Sequence, residues 1–352
     1  MQFIKRYLLV FLIVLLLASI MLAAGNGAMH IHAQQVIAIL LKKMGIRLNV
    51  ECSEGMENIL WQLRLPRVCL GILVGAALGI SGAAMQGLFR NPLADPGLIG
   101  ISAGASLFAV LTIVVLVTVP AISAHTSFLP QYYLLNVLTF MGACITSLLV
   151  FRMSRIKGKT LIATLLLAGI AVNALCGACT GLITYNASNE QLRNITFWSL
   201  GSLGGASWQT VLALLPFVLP PLCLMPFLGK ALNAYSLGEA EAGYIGIHVK
   251  ALKWKIILLS TMAVGASVAV AGIIGFVGLI TPHILRTVSG SDHRRLLLNS
   301  ALLGASLLTL ADVVSRTIIA PAELPIGIMT ALLGTPLFIM LLLKQKKQIL
   351  TA

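Results

Sequence analysis

Charge is scarce in this sequence, and acid scarcest of all. Only 10% of its 352 residues are charged, and just 10 are Asp or Glu. A soluble domain carries about 25% charged residues, so this chain cannot build a water-facing surface over most of its area. Its six cysteines are scattered, most of them in or beside apolar stretches, which excludes a disulfide framework and a zinc site. Cys176 and Cys179 form a CxxC, but inside the run CGACTG; small residues at a helix contact account for it better than a redox pair. His, Asp and Glu do not cluster near one face, which argues against a membrane-embedded enzyme. Asp312 is the only acid deep in an apolar run, whereas an ion-coupled secondary transporter needs carboxylates along its path. A P-loop is missing too. GKT at 158–160 has Met153 where G-x-x-x-x-G-K-[ST] needs glycine, and no segment is large enough for an ATPase domain. If the chain pumps, another chain supplies the energy.

Long apolar runs are what the chain does have. Hydrophobic residues make up 59% and the mean hydropathy is +0.99. The runs have the length that spans a bilayer, roughly 17–25 residues. They fall at 7–26, 66–88, 98–119, 133–151, 161–184, 208–228, 256–274, 276–287, 296–316 and 326–343. The pattern predicts an all-α membrane protein with about ten transmembrane helices, forming one transmembrane domain over 1–352. The first run follows Lys5 and Arg6 and covers about 18 residues from Tyr7 to Ala24. That exceeds the 7–15 of a signal-peptide core, so it is read as a first transmembrane helix. Gly272 to Gly275 separate the seventh and eighth runs, and the eighth is short; a half-helix or broken helix fits there, since irregular backbone is tolerated where protein covers it.

The formal net charge of +14 does not point to nucleic acid, because Lys and Arg lie in short islands between apolar runs rather than on one face. With the N-terminus cytoplasmic and ten crossings, 17 of the 24 Lys and Arg fall inside, from Lys5 and Arg6 to Lys344, Lys346 and Lys347. The outer seven are Lys42, Lys43, Arg47, Arg64, Arg67, Arg193 and Arg316. The opposite orientation breaks the positive-inside rule. Both termini are therefore expected in the cytoplasm.

Two loops are large. Residues 27–65 form an outer segment carrying Glu51, Glu54 and Glu57. Residues 229–255 form the largest inner segment, interrupted by Gly243 and Gly246. A short helix–turn–helix against a cytoplasmic partner and a plain solvated loop both fit it. Gly71, Gly75 and Gly79 recur at every fourth position with Gly82 nearby, a spacing that lets helix backbones approach closely in lipid. In RNPLADPGLIG (90–100), Pro92 and Pro96 preclude a regular helix, and Asn91 or Asp95 can cap the helix that follows. In GFVGLITPHILR (275–286), Pro282 frees a backbone carbonyl and His283 sits near a membrane boundary. Asp312 has Arg316 four residues on, on the same helical face; an internal ion pair and an outer-rim role for Arg316 both remain open.

These residues together resemble the FecCD-type permeases of ABC importers, which carry ferric siderophores, heme or cobalamin. The resemblance rests on RLPR (64–67), ALGISGAAMQGLFRNPLADPGLIGISAGAS (77–106), GFVGLITPHILR (275–286), ADVVSR (311–316) and ELPIGIMTALLGTPLF (323–338). It runs through nearly the whole chain in order. It implies a homodimer of ten-helix subunits in the bacterial inner membrane, with two cytoplasmic ATP-binding subunits. It further implies a periplasmic or lipid-anchored substrate-binding protein outside, and passage along the dimer interface by alternating access. No cofactor is expected on this chain, ATP being bound by the partner. By the same resemblance Arg64, Arg67 and Arg316 dock the binding protein. Leu237, Gly238, Glu239, Glu241, Gly243 and Gly246 belong to the segment that couples to the ATPase. Asn91, Pro92, Asp95, Pro96, Pro282, His283 and Asp312 are family-motif positions of structural or gating kind. TFWSLGSLGGASW (196–208) is similar to the version in heme permeases, which makes heme the favoured substrate over a ferric siderophore and, less favoured, cobalamin. His30, His32 and His125 on the outer side are read as ordinary loop histidines rather than iron contacts.

Overall fold

The computed structural model describes residues 2–27, 29–46, 48–118, 131–156 and 159–350. Arg47, His125 and Lys157 lie outside the described residues, as do the side chains of Lys5, Arg6, Lys159, Lys344, Lys346 and Lys347. Helix α1 (Gln2–Gly25) is followed by α2 (Ala33–Lys43) and the short α3 (Glu54–Asn58). A π-helical segment (Ile59–Arg64) carries α3 without a break into α4 (Leu65–Phe89). A 3-10 turn (Pro96–Ile99) leads into α5 (Ile101–Thr118), and α6 is Gln131–Met153. A small antiparallel hairpin, β1 (Arg155–Ile156) and β2 (Lys159–Thr160), joins α6 to α7 (Ile162–Tyr185). Then come α8 (Asn189–Ser199), α9 (Trp208–Leu224), α10 (Gly229–Leu237) and α11 (Glu239–Tyr244). The chain ends with α12 (Val249–Ala271), α13 (Val277–Ser289), α14 (His293–Thr317) and α15 (Ile326–Leu350).

Each of the ten apolar runs is centred on a helix. Among the described residues, 7 helices are long and apolar enough to cross a membrane, and Ile101–Val115 and Ile326–Met340 are apolar but shorter. Helix α13 has 13 residues, a reach of about 20 Å at 1.5 Å per residue, short of the roughly 30 Å hydrocarbon layer. It is the half-helix expected after Gly272. The irregular backbone between Ala271 and Val277 is buried at Gly272 and Ile274 and exposed at Gly275. Ser202 N donates to Ala271 O at 2.8 Å, and the start of α15 donates to the same loop, Ile326 N to Gly201 O (3.1 Å) and Gly327 N to Leu200 O (3.0 Å). The Ala271 carbonyl freed by the break is thereby satisfied without water, and the loop after α8 is tied to both the break and α15.

Helix α4 is the hub. Nearly all of it from Val68 to Phe89 is buried, and it packs on α12, α13 and α14. The small residues read from the sequence are the reason. A Cβ on Gly79 would fall on Ser300 O of α14, and one on Gly82 would fall on Gly278 O of α13. Gly278 is four residues before Pro282, so its carbonyl has lost its helical donor; the Cα of Gly82 packs against it instead. Leucines and valines also face outward, as on α1 (Val10, Phe11, Val14, Leu17) and α7 (Leu167, Ile170, Leu175, Leu182). In water such surfaces would be large exposed patches; against lipid tails they are at no disadvantage.

Candidate functional sites at the two ends of the bundle

Charged side chains gather where α1 finishes, close to the start of α4 and the end of α14. Arg67 is the centre of this cluster. Its Nε donates to Asp312 Oδ1 and Oδ2 at 3.0 and 3.1 Å, and its Nη2 lies 2.9 Å from Asp312 Oδ1. Its Nη1 donates to Glu323 Oε1 and Oε2 at 2.9 and 3.0 Å. One guanidinium thus forks between two carboxylates, a geometry that arginine provides and lysine does not. Arg316 Nε is 3.5 Å from Asp312 Oδ2 and makes no hydrogen bond, while its Nη2 donates to Ala23 O at 2.5 Å. The i,i+4 pair read from the sequence is therefore present but secondary, and Arg67 is the principal partner of Asp312.

Arg64 departs most from its expected place. It is buried, and its guanidinium is taken up by main-chain oxygens. Nη1 donates to Ala24 O (2.7 Å) and Gly25 O (2.8 Å), and Nη2 donates to Met29 O. These carbonyls lie at and just past the C-terminus of α1, Gly25 O also accepting from Ile31 N at 3.0 Å, and a cation there meets the negative end of the helix dipole. In this structure Arg64 is a cap on α1 and offers no cation to the surface. Three α-helical residues turn the chain by about 300°, so Arg64 and Arg67 leave the helix about 60° apart; Arg64 meets the end of α1 and Arg67 meets α14. His30 and His32 are exposed nearby, their rings in edge-to-face contact at 5.1 Å.

The opposite end carries the remaining motif residues. The αL residue Arg90 closes α4. Asn91 Oδ1 then accepts from Leu93 N at 2.9 Å, and Asp95 Oδ1 accepts from Gly97 N at 2.7 Å to cap the turn that Pro96 begins. Asp95, one of the two expected caps, fills that role. Burial pushes its carboxyl above the ordinary range, against the pull of the Gly97 N–H. Pro92 is half-buried, Pro282 buried and His283 half-buried. Gln86 is a residue that sequence reasoning missed. It is buried on α4, donates to Leu279 O at 3.2 Å and accepts from Arg286, tying α4 to the broken helix. Asp292 caps α14. Burial pulls its carboxyl upward, but the Asn233 amide (2.6 Å) and the Arg294 N–H hold it below the ordinary carboxylate range.

The inner segment is a short helix–turn–helix, α10 and α11. Its first break falls at Gly238, and Gly243 lies inside α11 rather than at an interruption. The second is at Gly246, whose φ of 87° favours glycine. Leu237, Glu239, Glu241, Gly243, Tyr244, Ile245 and Gly246 are exposed, Tyr244 by 91%. Behind this surface Glu239 Oε1 meets Lys253 Nζ of α12 at 2.5 Å and Tyr235 Oη at 3.1 Å. Lys253 is only 2% exposed and also donates to Thr160 O of the hairpin at 2.7 Å. One buried ammonium therefore joins α11, α12 and the lead into α7. Nothing in the sequence distinguished Lys253 from Lys250 and Lys255 beside it. Among the described residues, no group of three or more His, Cys, Asp or Glu is placed to hold a metal ion.

Apolar helices packed through backbone contacts, a broken helix, and charged clusters at the two ends define a polytopic α-helical membrane protein. The model of the FecCD transport family matches residues 12–344, and the chain belongs to that family. It is 44% identical over 343 residues to the hemin transport system permease protein HmuU of Yersinia pestis, covering 97% of each chain. It is 42% identical over 297 residues to the vitamin B12 import system permease protein BtuC of Yersinia pseudotuberculosis, covering 84% of each. Among solved structures it is similar to a metal-chelate type ABC transporter in an inward-facing conformation, with a TM-score of 0.81, 32% identity and coverage of 96% of this chain and 99% of that one. The chain is a multi-pass permease of the ABC importer class.

Proposed function

We propose that this chain is the membrane-spanning subunit of a heme importer in the bacterial inner membrane. The observation that carries the reading is the 44% identity to a hemin permease over 97% of both chains; the likeness to the vitamin B12 permease is nearly as high but covers 84%. Two copies of the chain form the translocation unit. The outward face of α7 supports this, since Gly177 and Gly181 have nothing within 4 Å and small residues at that spacing let a second helix approach closely. Two cytoplasmic ATP-binding subunits dock on α10 and α11, a role supported by the exposed Leu237, Tyr244 and Ile245. A substrate-binding protein docks at the end where α1 finishes, with Arg67 as its candidate anchor; Arg316, like Arg64, is buried and held by α1 and Asp312. The distribution of Lys and Arg supports placing that end outside and both termini inside. Transport then requires two states of the dimer with different access, biased by ATP on the partner.

The test is growth of iron-starved cells that lack their own heme and siderophore permeases, supplied with this chain and its partner subunits. Heme as sole iron source is expected to restore growth. Growth on a ferric siderophore alone overturns the heme reading and keeps the importer. Growth on neither, with the complex intact in the membrane, shifts the reading to cobalamin, tested by uptake of that ligand.

A further inference from the structure

The cluster at the end of α1 holds three arginines, yet the group it shows to water is a carboxylate. The Glu323 side chain is 46% exposed, against 13% for Arg67 and 4% for Asp312. Arg64 and Arg316 are spent on carbonyls of α1 and on Asp312. What remains for a visitor is the Nη1 edge of Arg67, and Glu323 occupies it with both oxygens.

The two carboxylates on Arg67 are held differently. Asp312 is buried inside α14, and its loss would leave a buried guanidinium uncompensated. Glu323 lies between α14 and α15, on backbone pinned independently of its side chain. Leu324 N donates to Ser315 O at 3.0 Å, and Ser315 Oγ donates to Leu324 O. The Glu323 carboxylate can therefore turn into water while its main chain stays in place, and an exposed pair of this kind is held only weakly.

We propose that Glu323 is an exchangeable counter-ion: it holds the Nη1 edge of Arg67 while this end is free and yields that edge to a carboxylate of the docking substrate-binding protein. The proposal rests on the docking reading above. Exchange of one carboxylate for another leaves Arg67 paired at every stage, so docking never exposes an unmatched guanidinium. It also puts the released Glu323 beside the incoming acid. The like-charge contact weakens the docked complex, and Glu323 thereby sets how readily the binding protein departs.

The probe is the substrate-binding protein that co-purifies with this permease from its own cells, titrated onto the full transporter in nanodiscs. Glu323→Gln is expected to tighten its Kd about two- to five-fold at low salt, the range an exposed ion pair reaches, with the gain fading as salt screens it. An unchanged or weaker Kd overturns the proposal. Arg67→Lys keeps a point charge for Asp312 but cannot fork two carboxylates. In that background the Glu323→Gln gain is expected to vanish; a full gain there shows that Glu323 acts through its general field, and the exchange is refuted. If Arg67→Lys leaves docking to the otherwise unaltered transporter unchanged, the docking reading itself falls, an outcome separate from the other two.

Discussion

Replacing Arg64 by leucine distinguishes a helix cap from a docking residue, because the two roles predict opposite patterns. In the cap reading, the variant loses charge-assisted bonds to Ala24 O, Gly25 O and Met29 O. Met29 is 40% exposed, so its carbonyl regains water and that loss is small. Ala24 is 1% exposed, and the carbonyls of Ala24 and Gly25 lie where water enters poorly. Two hydrogen bonds to a charged donor contribute about 3–5 kcal/mol together. Burying leucine instead of a guanidinium returns about 1–2 kcal/mol, and removing a cation near Arg316 relieves some repulsion. The net loss is about 1–4 kcal/mol, or roughly 1–5 °C in thermal midpoint for a chain of this length. The assay is thermal unfolding of the purified permease, with maleimide labelling of an Ala24→Cys reporter as a local probe of the α1 end. The cap reading expects a lower midpoint and faster labelling. An unchanged midpoint and unchanged labelling, together with lost docking of the binding protein, would refute it and return Arg64 to the docking surface.

Two further substitutions probe the other end and the middle of the bundle. Glu239→Gln leaves the buried Lys253 ammonium with Thr160 O and no carboxylate, and Glu239's own exposure lets water soften the loss to about 2 kcal/mol. We expect ATP hydrolysis to persist while substrate moved per ATP falls, and Lys253→Met to recover stability without recovering the transport ratio; full coupling in both variants would show that the α11–α12–hairpin junction transmits nothing. Gly82→Ala drives a methyl into Gly278 O of α13, an overpacking of backbone on backbone at the upper end of the usual range, about 3 kcal/mol, read as a lowered thermal midpoint. Gly177→Ala, with nothing within 4 Å, is its control and is expected to leave the single subunit undiminished or up to about 1 kcal/mol more stable, since alanine is the better helix former.

The helices could be read from the sequence because the bilayer imposes a local rule: about twenty consecutive apolar residues cross it, and each run carries that signal alone. The break after Ala271 was readable for the same reason, as glycines and a short run are local features. Partners are another matter. Arg316 is the one partner for Asp312 that the sequence offers, because i,i+4 is a pairing that one sequence displays. The stronger fork comes from Arg67, 245 positions away, through packing of α4 on α14. Glu323 stood in a motif without a role, since a carboxylate's task depends on which guanidinium the fold brings to it. The sharpest case is RLPR. Arg64 and Arg67 are three residues apart, and α-helical spacing places them on adjoining faces with a common environment. Leu65 to Arg67 are α-helical and the π-helical segment ends at Arg64, so the two side chains leave the helix about 60° apart, yet they are long enough to reach different neighbours. Arg64 turns to the end of α1 and Arg67 to Asp312. The packing of α1 and α14 against the start of α4 decides which neighbour each arginine meets, and that packing makes one arginine of a matched pair structural and leaves the other facing the solvent-exposed acid.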